Sequence, residues 1–201
     1  DLGIIKMEVC RNEKPANNFL QKIQEISNKK KIILIFDECT SGFRENFGGL
    51  HKKFKVQPDL AIFGKALGNG YAINAVIGKE NIMKHANNTF ISSTFWTERI
   101  GPTAALATIN FMEENQTWKT VKKIGKKIQK KWNMIAENNQ LKIKINGIPS
   151  LTNFVFQSLN HQKYKTLITQ EMLLNNILAT NAVYPCIDHK DKFLNLYFDK
   201  L

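Results

Sequence analysis

The sequence lacks the features that mark membrane, secreted or metal-binding proteins. None of its apolar runs approaches the ~18 residues of a transmembrane helix, and its first residues show no signal-peptide pattern. Its 3 cysteines are an odd number, lie far apart and have no CxxC or CxxH neighbours, so neither a disulfide framework nor a zinc site is indicated. We expect a cytoplasmic chain with no membrane partner and no metal. Because Asp1 is not a methionine, we also expect the sequence to begin inside a longer protein.

Arginine is scarce although the chain is basic. The 29 lysines and arginines exceed the 17 acidic residues and give a formal net charge of +12, yet only Arg11, Arg44 and Arg99 are arginines. Nucleic-acid-binding proteins rely on arginine for bidentate contacts, whereas scattered lysines are typical of solvated surfaces. We therefore expect no nucleic-acid partner. A basic nucleic-acid-binding module remains the non-enzymatic alternative, and a steep salt dependence of affinity would distinguish it.

The first part of the chain alternates strand-like runs with a helical stretch, which predicts an α/β layered sheet. Residues 32–36 are apolar throughout, as in a strand buried on both faces inside a mostly parallel sheet. Apolar residues at helical spacing predict a helix over residues 19–26. Further strands are predicted at residues 4–9, 60–63 and 75–77.

The second part has the pattern of an α+β unit. Residues 118–135 form an amphipathic helix whose lysines cover one face, and we interpret it as a packed helix with a solvated basic surface. Two domains are expected, a larger one over residues 1–113 and a small, incomplete C-terminal one over residues 114–201. The other predicted elements are helices at 103–112 and 164–178 and strands at 141–145, 152–156 and 194–198.

Candidate functional residues cluster after the buried strand. Asp37 and Glu38 lie where that strand ends, and ligands of open α/β sheets bind at the carboxyl ends of strands. In the loop that follows, Gly42 permits an unusual backbone turn and Arg44 offers a partner for a carboxylate. For the acidic pair alone, a helix cap or a buried ion pair is as good an interpretation as a functional site.

Lys65 favours the functional interpretation. It closes a second strand-like run and precedes the glycine-rich stretch from Ala66 to Tyr71. A lysine between a buried strand and a glycine-rich loop is expected to be partly desolvated, which makes its neutral amine available as a nucleophile that can form a Schiff base. A Walker-type phosphate loop is disfavoured, because Gly64-Lys65-Ala66 lacks the preceding glycine and the hydroxyl residue of that motif.

Together these residues resemble the class III pyridoxal-phosphate-dependent aminotransferases, in particular the glutamate-1-semialdehyde aminomutase-like branch. The resemblance is dense over about residues 4–112 and thin beyond, where only the order of elements matches. Several separate motifs agree in order and spacing. The motifs are Leu34-Ile-Phe-Asp-Glu-Cys-Thr-Ser-Gly-Phe-Arg44, Pro58-Asp-Leu60, Gly64-Lys-Ala-Leu-Gly-Asn-Gly-Tyr71 and Ala75-Val-Ile-Gly78.

The resemblance implies a fold type I transferase with pyridoxal 5'-phosphate, active as a homodimer with shared active sites. Lys65 would be the Schiff-base lysine and Asp37 the partner of the pyridinium nitrogen. Thr94 would offer its hydroxyl to the cofactor phosphate of the neighbouring subunit, although Ser93 stands where the family has glycine. Thr40 would approach the phenolic oxygen of the cofactor. Cys39 stands where the family commonly has valine.

The implied activity is the transfer of an amino group between an amino donor and a carbonyl acceptor. An intramolecular version, glutamate-1-semialdehyde 2,1-aminomutase, is the enzymatic alternative, and the motifs do not separate the two. The phosphate cradle of the family and the aromatic residue that stacks on the cofactor lie upstream of the strand that opens this sequence. We therefore expect this chain to be a fragment lacking the N-terminal part of the family, and inactive by itself.

Overall fold

A computed structural model describes residues 2–201 of the chain. They form two compact units, one made of the residues up to Cys10 with Pro15–Trp118 and the other of Arg11–Lys14 with Lys119–Leu201. No helix of the described residues is long and apolar enough to cross a bilayer. The strands are β1 (Ile4–Glu8), β2 (Ile33–Asp37), β3 (Leu60–Phe63), β4 (Ala75–Gly78), β5 (Ile143–Asn146), β6 (Thr152–Phe156) and β7 (Ala182–Val183), and the α-helices are α1 (Phe19–Lys30), α2 (Glu80–Met83), α3 (Ile100–Asn115), α4 (Thr117–Asn138), α5 (His161–Leu174) and α6 (Asp191–Lys200).

The first unit is built on one four-stranded sheet in the order β1-β2-β3-β4. β1, β2 and β3 run parallel, and β4 pairs antiparallel with β3. The prediction of an α/β fold with a mostly parallel sheet is therefore confirmed. The long connections between the parallel strands leave room for α1 and for a single-turn helix at Leu50–Phe54, as parallel pairing requires.

The two faces of this sheet are not equally covered, which corrects the prediction that β2 is buried on both. Leu34 and Phe36 are buried at 1% and 0% exposure, whereas Ile33 and Ile35 on the opposite face are half-buried. Ile4, next to Ile33 in β1, is 54% exposed. A continuous apolar run shows that both faces of a strand are apolar, and it does not show that the same chain covers both.

The second unit packs helices against the antiparallel sheet β5-β6-β7. Its core is apolar and largely aromatic, and Trp132 of α4 donates its Nε1–H to the hydroxyl of Tyr197 at 2.9 Å. Gly125 lets α4 approach the loop before β6, because a Cβ there would stand 1.9 Å from the Pro149 carbonyl oxygen. The buried core residues are Ile128, Trp132, Phe154, Met172, Leu194, Tyr197 and Phe198.

The predicted strand at residues 194–198 is wrong, because this segment lies inside α6. Leu194, Leu196 and Phe198 alternate along the sequence as in a strand, but Leu196 is 51% exposed. The buried residues are Leu194, Tyr197 and Phe198, which recur at the i, i+3, i+4 spacing of a helix. The helical stripe therefore describes the packing, and the period-2 pattern was coincidental.

Candidate active site

Two parallel strands deliver the candidate residues to one edge of the first sheet. β2 ends at Asp37 and β3 at Phe63, with Asp37 paired opposite Ile62. The carboxyl ends of parallel strands lie at the same edge, so the loops that follow Asp37 and Phe63 emerge side by side. The backbone N–H of Glu38 donates to the Ile62 carbonyl at 2.8 Å and ties the first loop to β3.

Lys65 follows β3 in an unusual backbone conformation. It opens the single-turn helix Lys65–Leu67 with a φ of +48°, in the left-handed region that costs a residue with a Cβ about 1–2 kcal/mol. Strained residues of this kind persist where the surroundings fix them and cluster at functional sites. Leu67, two residues on, is buried and anchors the turn.

The structure brings Lys65 together with Thr40. The Nζ of Lys65 donates to Thr40 Oγ1 at 2.5 Å, across 25 residues of sequence. The expectation that Lys65 is partly desolvated is wrong for the described chain, since the residue is exposed. Its neighbours Gly64 and Leu67 are buried, but the side chain projects from the sheet edge, where nothing in residues 2–201 encloses it.

The two carboxylate oxygens of Asp37 bond to different donors. Its Oδ2 lies 2.9 Å from Nζ of Lys6 in β1, and its Oδ1 accepts the backbone N–H of Cys39 at 3.1 Å. The hydrogen bond from Lys6 lowers the pKa of Asp37 from its ordinary value, against the opposing effect of burial. The carboxylate is therefore ionised at neutral pH, and with a quarter of its side chain exposed it remains open to a further partner.

Glu38 is the buried acid of the pair, with 0% exposure. Its Oε1 accepts the backbone N–H of His51 at 2.8 Å and faces His51 Nδ1 at 2.9 Å, and its Oε2 accepts the Ser41 hydroxyl. Burial acts to raise the pKa of Glu38, but these hydrogen bonds outweigh it and hold the pKa below its usual value. The interpretation as a buried ionic group thus applies to Glu38, while Asp37 faces outward.

The loop carrying Thr40 is fixed at several points. Arg44 Nε donates to the Thr40 carbonyl at 2.7 Å, so the arginine braces the backbone of the loop. The left-handed backbone conformation in this loop falls on Phe43, with a φ of +62°, and not on Gly42. Gly42 is needed for close approach, since a Cβ would lie 2.6 Å from the Phe63 ring.

Thr94 lies apart from the other predicted site residues. It occupies an exposed turn and makes no hydrogen bond with Asp37, Thr40 or Lys65 in the described chain. Around it, Phe90, Phe95 and Trp96 expose 94%, 63% and 68% of their surface. The structure therefore groups Lys65, Thr40 and Asp37 at one sheet edge and leaves Thr94 in an exposed aromatic segment.

Sequence reasoning missed Lys6, Ser41 and His51. Each bonds to one of the two acids, but Lys6 precedes Asp37 by 31 positions and His51 follows Glu38 by 13, distances at which no motif links them. The one available signal was the apolar run of β1, in which Lys6 is a single basic interruption.

Comparison with known proteins identifies the family of the chain. Residues 12–180 match the family model described as aminotransferase class III, and the chain belongs to that family. A 3-aminobutyryl-CoA aminotransferase of Cloacimonas acidaminovorans is 34% identical over 186 residues, which are 90% of this chain and 45% of that protein. A glutamate-1-semialdehyde 2,1-aminomutase of Methanosphaera stadtmanae is 28% identical over 185 residues, covering 86% of this chain and 44% of that protein.

Solved structures share the fold at low sequence identity. The internal aldimine form of the FumI protein of Sphingopyxis sp. MTA144, with its pyridoxal phosphate, superposes with a TM-score of 0.92 at 18% identity, over 100% of this chain and 50% of that one. An ornithine aminotransferase of Plasmodium yoelii gives a TM-score of 0.82 at 18% identity, over 98% and 55%. The fold is thus that of the fold type I transaminases, and the chain spans about half the length of the relatives it matches.

Proposed function

We propose that this chain carries the lysine side of a pyridoxal-phosphate site in an aminotransferase that moves an amino group between an amino donor and a carbonyl acceptor. The observation that carries the proposal is the grouping of a solvent-accessible amine, Lys65, with the Thr40 hydroxyl and the ionised Asp37 at the carboxyl edge of one sheet. Family membership and the shared fold support it.

The residues present fit the chemical groups of this cofactor. Lys65 supplies the primary amine that its aldehyde requires, and Asp37, kept ionised by its hydrogen bonds, supplies an acceptor for a protonated ring nitrogen. Thr40 supplies a hydroxyl beside that amine for the phenolic oxygen. When bound, the cofactor serves as the electron sink that makes the α-proton of an amino acid removable.

In this proposal each residue has a separate task. Lys65 would hold the cofactor covalently, and once released its amine would remove and return the substrate proton. Asp37 orients the ring and keeps its nitrogen protonated. Glu38 fixes the loop that carries Thr40, because its carboxylate is bonded to Ser41 and His51 inside the unit.

The direct test is Lys65→Ala in the protein expressed from its whole gene. We expect complete loss of transamination and of the covalent attachment of pyridoxal phosphate. At the carboxyl edge of this sheet, no other described lysine follows the end of a strand. Borohydride trapping followed by peptide mass mapping measures the attachment at Lys65. Lys84→Ala, an exposed lysine outside the site, is the matched control and should retain both. Transamination near the parent level in Lys65→Ala would contradict the assignment.

The aminomutase alternative uses the same residues and differs in the origin of the nitrogen. Relatives of both names match the chain. With a donor labelled with ¹⁵N, an aminotransferase places the label in the aminated acceptor, whereas an aminomutase forms its product without any added donor. Analysis of the product by mass spectrometry therefore separates the two activities.

We also propose that the protein is a homodimer and that Thr94 serves the site of the partner subunit. The support is the exposed aromatic segment around Thr94, formed by Phe90, Phe95 and Trp96, since apolar surface of this kind commonly marks an interface. Sedimentation of the full-length protein tests this association. A purely monomeric protein with full activity would contradict it.

A further inference from the structure

The less buried face of the first sheet carries one basic side chain. Strand pairing sets Ile4, Lys6 and Glu8 of β1 beside Ile33, Ile35 and Asp37 of β2, so these side chains share one face of the sheet. Lys6 is the one basic residue in the four strands of this sheet, all of which are described. The register alone, independent of any rotamer, therefore places a cation on the face that carries Asp37.

Lys6 reaches Asp37 at the oxygen that the loop does not use. Its Nζ lies 2.9 Å from Oδ2, while Oδ1 accepts the Cys39 N–H. Lys6 is 56% exposed and Asp37 25%, so the pair is accessible to solvent from the Lys6 side. The hydrogen bond with Asp37 raises the pKa of Lys6, and Glu8 and Cys39 act in the same direction. Lys6 is thus a cation throughout the neutral range.

This contact bears on the task given to Asp37 in the proposed function, on which the inference rests. An aspartate holds a ring nitrogen protonated because its negative charge stabilises the pyridinium. An ionised carboxylate has about four acceptor positions, so it can bond to Lys6 and to a ring nitrogen at the same time. A cation already paired with the carboxylate then offsets part of the charge that the ring nitrogen senses.

We propose that Lys6 is a positioning residue that shares Asp37 with the ring nitrogen of pyridoxal phosphate and weakens the hold of that carboxylate on the ring proton. Cofactor affinity and the protonation of the ring nitrogen are then set by a lysine of β1 as well as by Asp37. The remaining charged or titratable groups around the pair are Glu8 in β1, Cys39 in the loop and Lys65 beyond β3.

The test compares Lys6→Met with the parent in the protein expressed from its whole gene. The methionine keeps the length and apolar stem of the side chain and removes its charge. We expect Lys6→Met to bind pyridoxal phosphate about threefold more tightly, the size typical of a partly exposed charge pair. With cofactor labelled with ¹⁵N in the ring, we expect the pyridinium signal to persist to higher pH in Lys6→Met than in the parent.

Two further variants isolate the pairing. Lys6→Arg keeps the positive charge and should resemble the parent in affinity and in the ¹⁵N titration. In an Asp37→Asn background, Lys6→Met should have no effect on either measurement, because the residue acts through Asp37. Lys84→Met controls for the general loss of one positive charge.

The outcomes separate this inference from the proposed function. If the parent traps cofactor selectively at Lys65 but Lys6→Met matches it in affinity and in the ¹⁵N titration, the inference is wrong and the proposed function stands. An effect of Lys6→Met that persists in the Asp37→Asn background also overturns the inference. If the parent neither binds pyridoxal phosphate saturably nor traps it at Lys65, both are wrong.

Discussion

The two units of this chain bury different kinds of side chains. In the first unit, Glu38, His51 and Ser41 are among the buried residues, and they satisfy one another through hydrogen bonds. In the second unit the core is apolar, its central polar contact is the bond between Trp132 and Tyr197, and its fully buried polar residues, Ser150 and Thr152, are uncharged. Burying a charge is costly unless it is hydrogen-bonded, and apolar burial alone stabilises a fold. The first unit therefore buries titratable groups that stability alone does not require, next to its candidate site.

The largest effect that sharpens this contrast is expected for Asp37→Asn. The change leaves the shape of the side chain but removes the negative charge that we assign to the ring nitrogen. We expect the rate of α-proton removal in the full-length protein to fall at least about a hundredfold, which corresponds to about 3 kcal/mol of activation free energy. Exchange of the substrate α-proton with deuterated solvent measures this rate.

A substitution in the second unit provides the counterpart. Trp132→Phe removes the donor to Tyr197 and some core volume, so it should lower the free energy of unfolding while leaving α-proton exchange unchanged well below the melting temperature.

For Asp37→Asn, a fall of less than about threefold in the rate of α-proton exchange would show that Asp37 does not hold the ring nitrogen. The two units would then not differ in their part in the chemistry.

The second unit should respond to alkali through Tyr197. Burial raises the pKa of Tyr197 to about 12, despite the opposing hydrogen bond from Trp132. The neutral phenol is therefore favoured in the folded state. Its contribution is fully present below the unfolded pKa of about 10 and is lost as pH rises toward 12, by about 2–3 kcal/mol.

Hydrogen exchange of peptides from each unit measures this loss separately. Between pH 9 and pH 12, protection should fall in peptides from the core of the second unit, and Tyr197→Phe should remove that part of the pH dependence. Equal sensitivity in parent and variant would assign the alkaline loss to other groups, such as the many lysines.

The sequence predicted elements well where local patterns decide them. The bounds of β3 and β6 agree with the structure, and the apolar stripe from Val121 to Ile135 correctly predicted α4. The strand assigned to residues 194–198 failed because five residues fit both periods, and only packing shows which set of side chains is buried. Short apolar runs are ambiguous for this physical reason.

The candidate site was predictable in its motif residues and not in their supports. Asp37 and Lys65 follow apolar runs, and this position is visible in the sequence. The partners of Asp37 and Glu38 come from β1 and from the turn at Leu50–Phe54, and strand pairing and loop folding alone bring them close. The exposure of Lys65 was likewise unpredictable, since it depends on what encloses the sheet edge.

The smallest expected effect concerns the acid response of the first unit through Glu38. The pKa of Glu38 is held low by His51 and Ser41 against the effect of burial, so the ionised form is favoured in the folded state. Its contribution is fully present above the unfolded pKa of about 4.3 and is lost as pH falls below that value through the lower folded pKa. We expect Glu38→Gln to lower the free energy of unfolding by about 1–2 kcal/mol at pH 7.

The difference between parent and Glu38→Gln should shrink below pH 4, because Glu38 of the unfolded parent takes up a proton there while the folded form keeps its charge to lower pH. Urea unfolding at pH 7 and pH 3.5 measures it, with Glu25→Gln on the exposed surface of α1 as the matched control that changes little at either pH. An equal loss at both pH values would mean that the amide disturbs packing and that the charge of Glu38 contributes nothing.

Hydrogen exchange should show the acid response in peptides around β2 and β3 and leave the protection of α4 and α6 unchanged. Because Tyr197 lies in the other unit, its alkaline response and the acid response of Glu38 then distinguish the two units by pH.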